Sequence, residues 1–156
     1  MNVGFVNPFI DATLNVLRTM AQIEAMPGKV SLKNGKRSIG DVTGIIGLAG
    51  KEVKGSFAIS FSESCIKRVV SNMLGEEIKE MNGDIMDAVG ELTNIISGGA
   101  RAELDERGYS FEMAIPTVVS GEGHTIMHVT DHPVLLIPFD TAAGPFFMEA
   151  CLRIPA

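Results

Sequence analysis

A chain of 156 residues is long enough for one substantial hydrophobic core and too short for two ordinary ones. Its composition, 46% hydrophobic and 21% charged, is that of a folded chain and excludes a disordered one. Nineteen acidic against thirteen basic residues, no Trp and one Tyr exclude a nucleic-acid binder built on a broad basic surface or on aromatic stacking. Apolar runs such as 134–137 fall far short of the roughly 20 residues that cross a bilayer, so no membrane insertion is expected. The first residues lack the basic and apolar blocks of a signal peptide. Cys65 and Cys151 are far apart, with no CxxC spacing, and read as apolar filler rather than a disulfide or zinc framework. The expectation is one soluble cytoplasmic domain over 1–156.

In chain order, Asn7-Pro8 is read as opening a first helix, with Asn7 as its cap and Pro8 at its first position. Ile10, Leu14, Leu17 and Ala21 recur at helical spacing, and Pro27-Gly28 closes the segment. The period then changes to two. Val42, Gly44, Ile46 and Leu48 alternate, as do Val53, Gly55, Phe57, Ile59 and Phe61, which predicts a hairpin buried on one face. Ser62 caps a second helix carrying Ile66, Val69, Val70, Met73 and Leu74, and Gly75 stops it. A long helix follows from about 82 to 107, ending at Gly108. Strands are then expected over about 112–119, broken by Pro116, and over about 123–130, 134–139 and 145–154. In the last, Phe146, Met148, Ala150, Leu152 and Ile154 share one face, and Phe147, Glu149, Cys151 and Arg153 the other.

Strands and helices do not alternate one for one, so the fold class expected is α+β with an antiparallel sheet. A weak duplication is visible, in which Ile46 to Phe57 echoes Leu135 to Phe146. Each half would be a helix followed by strands.

The long helix carries the candidate chemistry. With Ile85 at zero and about 100° per residue, Val89, Leu92 and Ile96 fall within about 40° of it, a compact core-facing stripe. Asp87, Glu91, Asn94, Gly98 and Arg101 fall between about 160° and 240°, on the opposite face. Glu91 and Asn94 are therefore neighbours there. Gly90 and Gly98 flank them, each costing a helix interior about 0.5–1 kcal/mol relative to Ala. From spacing alone two readings stand: ordinary solvated positions with glycines placed for local packing, or a face kept bare for a partner that comes close.

Asp87-x-x-x-Glu91-x-x-Asn94, with Pro116 22 positions further on, resembles the signature of the CheC/CheX/FliY family of chemotaxis phosphatases. The Asn7-Pro8-Phe9 start, Gly98-Gly99 and the order of elements resemble its CheX branch, and the likeness runs over essentially the whole chain. The resemblance implies hydrolysis of the aspartyl-phosphate of a phosphorylated CheY-like receiver in two-component signalling. It casts Asn94 as the amide that orients the attacking water and Glu91 as the acid that pairs with the receiver's active-site lysine. Asp87, Gly90, Gly98 and Arg101 would complete the receiver-binding face. It also implies a homodimer, no metal or cofactor of its own, and Mg2+ held by the receiver. Setting Ile10, Leu14, Leu17 and Ala21 against Ile85, Val89, Leu92 and Ile96 puts Val16 and Thr19 where Glu91 and Asn94 stand, so the first helix is expected to carry no second site.

His124, His128 and His132 recur every four residues, but in a strand the first two would stand about 13 Å apart. They are read as surface or edge residues rather than metal ligands. Met73, Met81 and Met86 are read as core filler. Two other functions fit the same helix: a module that binds a receiver without hydrolysing anything, and a motor-associated adaptor in which the motif is a relic.

Overall fold

The computed structural model describes residues 3–128, 130 and 132–153. After a 3-10 turn at Val3–Phe5, α1 runs Asn7–Ala21, the hairpin strands β3 and β4 span Val42–Ala49 and Lys54–Phe61, α2 is Glu63–Leu74 and α3 is Gly83–Glu106. Four short strands, β1 (Met26–Pro27), β2 (Ser31–Leu32), β5 (Glu112–Met113) and β6 (Thr117–Ser120), lie outside the two long hairpins, the second of which is β7 (Leu135–Asp140) with β8 (Phe146–Arg153). All eight strands join one antiparallel sheet ordered β1-β7-β8-β4-β3-β5, with β2 also on β7 and β6 also on β3. The α+β expectation holds.

β4 and β8 pair along their full length at the centre, Lys54 opposite Arg153 through Phe61 opposite Phe146. About that seam the molecule is two similar halves that exchange their edges. β1 and β2, from the first half, pair with β7 of the second; β5 and β6, from the second, pair with β3 of the first. The duplication is real as architecture, but its register differs from the expected one. Ile46 pairs with Phe57, and the equivalent pair in the second hairpin is Ile137 with Met148, an offset of 91 residues. Leu135 pairs with Ala150, and Phe146 with Phe139.

The helices cover one sheet face. Phe9, Leu17, Ile66, Val69, Ile85, Leu92 and Ile96 bury against Ile46, Phe57, Ile59, Phe61, Ile137 and Met148. The Phe9 and Phe57 rings stack with centroids 5.0 Å apart, and Phe139 stacks on Phe146 at 4.6 Å. At roughly 25 cal/mol per Å2 of apolar surface removed from water, this layer supplies most of the driving force for folding. Met73, Met81 and Met86 pack at its margin, as read from sequence, while Leu74 is exposed. Cys65 and Cys151 are buried and unpaired with each other. Burial pushes the Cys65 thiol up to about 11 against a smaller opposing effect of its Thr141 hydrogen bond.

Both signals expected at the ends of α2 hold, and two expectations elsewhere do not. Ser62 accepts a hydrogen bond from the Cys65 amide at the start of α2, and Gly75 ends it at φ 71°. Asn82 caps α3 through the Ile85 amide. Asn7, in contrast, is inside α1: the cap position is Val6, already helical at φ −87° because the preceding 3-10 turn leads straight in, and Gln22 ends the helix in the left-handed region. The expected strand over 123–130 is absent among its described residues, which follow a loop held by a bridge between Arg37 and Thr125. Residue 129 of that stretch, and Ile154 of the last expected strand, lie outside the described residues.

Candidate functional site

α3 is held rigidly by its inner face. Ile85, Val89, Leu92, Thr93, Ile96, Ala100 and Leu104 are buried. Thr93 donates to the Val89 carbonyl at 2.7 Å and sits directly over Gly44 of β3, where an added Cβ would collide with the threonine hydroxyl. Gly44 therefore sets how closely helix and sheet approach. Against α1, Gly99 faces Ala12, where a Cβ on Gly99 would lie 3.2 Å from that of Ala12.

With the inner face fixed, Asp87, Glu91 and Asn94 are exposed on the outer one, as the helical spacing predicts. Neither Glu91 nor Asn94 has a side-chain hydrogen bond or ion pair among the described residues. Successive turns of a rigid helix thus offer an acceptor-only carboxylate next to an amide with both donor and acceptor. Such a pair can hold a lysine ammonium with one member and orient a water with the other.

The two flanking glycines have different explanations. A Cβ at Gly90 would come within 3.3 Å of the Val118 side chain of β6, so close packing inside the molecule accounts for it. A Cβ at Gly98 would meet no other part of the described chain within 4 Å. No packing need within the described residues explains that glycine, and it leaves the helix surface bare next to Asn94. Arg101 is engaged with Glu112, 3.2 Å away, in an exposed pair worth little on its own. Pro116 lies in the link between β5 and β6, on the flank of the same helix.

α1 bears no copy of this face. Thr13 donates to the Phe9 carbonyl at 2.7 Å, as Thr93 does to Val89, which sets the two helices in register 80 residues apart. The positions matching Glu91 and Asn94 are then Asp11 and Leu14, not Val16 and Thr19; Val16 is buried. Ile10 and Leu14 are only partly buried, so the sequence stripe was centred one side of the true one. A carboxylate is present in α1, but leucine replaces the amide.

The histidines lie elsewhere. His124 Nε2 bonds the Thr43 hydroxyl, and its Nδ1 faces the Gly121 carbonyl at 2.7 Å. His128 joins Ser56 at 2.6 Å and Glu149 at 3.0 Å. Both belong to a polar layer on the sheet face away from the helices, not to an open edge; His132 alone is exposed. Glu149 also receives Lys33 at 2.8 Å, with both side chains no more than 3% exposed. Sequence reasoning missed this cluster, because the alternation in β8 shows that Glu149 leaves the apolar core but not that a loop covers it. Among the described residues no group of three or more His, Cys, Asp or Glu could hold a metal ion, and no helix is long and apolar enough to cross a membrane.

The family model for the chemotaxis phosphatase CheX matches residues 42–140, a stretch that includes all of α3. The chain belongs to the CheX family. It is 31% identical over 122 residues, 78% of each chain, to the CheY-P phosphatase CheX of Thermotoga maritima. A CheC-like superfamily protein from Shewanella sp. PV-4 superposes with a TM-score of 0.91 at 46% identity, over 98% of this chain and 99% of that one. The CheX of the CheX–CheY–BeF3–Mg2+ complex from Borrelia burgdorferi superposes with a TM-score of 0.82 at 28% identity, over 97% and 99%. The CheX resemblance read from the α3 motif and the order of elements is thereby established.

Proposed function

We propose that this CheX-family chain is a phosphatase for the aspartyl-phosphate of a CheY-like receiver, with α3 as its active face. The observation that carries the reading is the exposed pair of Glu91 and Asn94, unpartnered among the described residues, on a helix whose inner face is locked into the core. Phosphoryl transfer depends mainly on positioning and charge stabilisation. A phosphorylated receiver carries its own lysine and Mg2+, and the missing element is a water held in line with the bond to be broken. Asn94 orients that water, its amide oxygen accepting a hydrogen bond from it, and brings no charge that would repel the phosphoryl oxygens. The water oxygen bonds to phosphorus as the bond between phosphorus and the aspartyl oxygen breaks. The receiver aspartate leaves as a carboxylate, inorganic phosphate is released and the water's proton passes to phosphate or solvent. Glu91 pairs with the receiver lysine and sets the docking register. Asp87, Gly90, Gly98 and Arg101 border the docked partner, Gly98 by leaving room for it.

In this reading the single domain uses no metal or cofactor of its own, since the Mg2+ stays with the receiver, and it works in the cytoplasm where receivers are phosphorylated. A homodimer belongs to the same proposal; the exposed Met26 and Leu32 on the edge strands β1 and β2 support an association at that edge.

The test is phosphate release from a panel of phosphorylated, Mg2+-loaded receivers, with binding measured in parallel. Asn94→Ala should bind normally and lose about a hundredfold in turnover, the scale seen when one preorganised polar group is removed. Glu91→Ala should weaken binding as well. If receivers bind and their phosphoryl lifetimes do not shorten, the protein is a docking module and the reaction assigned to Asn94 is wrong.

A further inference from the structure

Ile115 is 90% exposed, more than any other large apolar side chain among the described residues. A single exposed isoleucine is unremarkable on most surfaces. Its position here is not. The link between β5 and β6 is short and tied at both ends: the Ala114 amide donates to the Gly47 carbonyl at 2.9 Å, and Thr117 pairs with Ile45. Pro116 follows directly, which disfavours helical backbone at residue 115 and narrows its conformations.

Two contacts place the link along α3. Glu112 reaches Arg101, and Val118 lies against Gly90. Residues 112–118 thus run antiparallel to residues 101–90 of the helix. The helix rises about 16 Å over that interval, and the strand segment spans about 20 Å, so the two remain alongside each other. Midway, Ile115 stands level with the turn that holds Asn94 and Gly98. Gly90 and Arg101, at about 140° and 160° around the helix, mark the flank on which the link lies, and Asn94 at about 180° is the adjoining exposed position.

Resting on the phosphatase reading above, we propose that Ile115 is a positioning and specificity residue, seated in an apolar depression at the rim of the receiver's phosphoaspartate pocket. Glu91 holds the receiver at one side of the helix and Ile115 at the other, so the receiver cannot pivot about a single ion pair and the water on Asn94 stays in line. The partner selected is a receiver with an apolar surface beside its phosphorylated aspartate; one with a charged side chain at that place is rejected, because the charge would lose water without gaining a partner.

Steady-state hydrolysis and direct binding to BeF3-loaded, Mg2+-loaded receivers test this with Ile115→Ser, Ile115→Met and Asn94→Ala. For the receiver that the wild type hydrolyses, Ile115→Ser should raise KM and Kd about tenfold, the scale of losing one buried aliphatic side chain. Its kcat should stay within twofold, and Ile115→Met should restore wild-type KM. Unchanged KM and Kd in Ile115→Ser, or a fall in kcat alone, overturns the assignment. Full activity of Asn94→Ala would instead sink the phosphatase mechanism, and the binding arm still decides Ile115 in that case. A denaturation curve for Ile115→Ser, expected to match wild type for so exposed a residue, separates docking from unfolding.

Discussion

The two faces of this molecule that carry polar side chains make opposite use of them. On the outer surface of α3, Asp87, Glu91 and Asn94 are exposed, and the last two lack partners among the described residues. On the sheet face away from the helices, Lys33, Glu149, His128 and Ser56 form one buried chain. Ser38, Thr43, Ser60 and His124 form another, with Thr43 and Ser60 2.6 Å apart. The second region has the residue types of an active site, including two histidines, a lysine and a carboxylate. Yet its groups are committed to each other. His124 Nδ1 faces the Gly121 carbonyl and its Nε2 the Thr43 hydroxyl, so both ring nitrogens are taken up. Both ring nitrogens of His128 are taken up likewise, by Glu149 and Ser56. Residue type alone therefore does not identify the chemistry; groups left free on a rigid support do.

The largest effect that could break this contrast is at Glu149. Glu149→Ala leaves Lys33 and His128 buried without their anion, and should cost about 3–5 kcal/mol in denaturant unfolding. Replacing Lys33 and Glu149 together by Met and Leu should recover only part of that, because a buried ion pair adds little over apolar packing but His128 Nε2 still lacks its acceptor. Receiver phosphatase activity of the folded fraction should be unchanged in both. A loss below about 1 kcal/mol for Glu149→Ala would mean that water reaches this layer, and the buried half of the comparison would fall.

Asn94 should behave in the opposite way. Its substitution by Ala, expected to remove about a hundredfold in turnover, should move unfolding stability by no more than about 0.5 kcal/mol, since the side chain is exposed and packs no core. Measuring both quantities on one preparation sharpens the contrast: Glu149 should act on stability and Asn94 on rate. A stability loss at Asn94 comparable to that at Glu149 would make it a structural residue.

Most of the candidate site was legible because it depends on one local rule. Once Ile85, Val89, Leu92 and Ile96 define the buried stripe, 3.6 residues per turn place Glu91 and Asn94 opposite, and no tertiary information is needed. The cap of α2 is legible for the same reason: Ser62 satisfies an amide three residues on. The hairpin β3–β4 follows from alternation in two adjacent runs. What was not legible depends on residues distant in sequence. Edge strands of two or four residues exchanged between halves leave almost no periodic signal. The loop over Glu149 reads as a strand from its sequence, but His124 and His128 turn toward strands laid down 81 and 72 residues earlier. The glycines show the same limit: Gly90 and Gly98 look equivalent in the helix, and only the position of Val118 separates them.

That separation yields the smallest and most discriminating prediction. Gly98→Ala adds a methyl group where nothing lies within 4 Å, so it strains no neighbour and removes the entropic cost of glycine in a helix. Unfolding stability should rise by about 0.5–1 kcal/mol. The chain nevertheless has glycine there, against its own stability, and on the proposed docking face the methyl would stand where the receiver closes on Asn94. Binding of BeF3-loaded receiver to Gly98→Ala should therefore weaken as stability rises, an opposition that internal packing does not produce. Gly90→Ala should show no such opposition, because the added methyl meets Val118 inside the molecule. If Gly98→Ala gains stability and binds the receiver as well as wild type, Gly98 lies outside the interface and the docking face ends at Asn94.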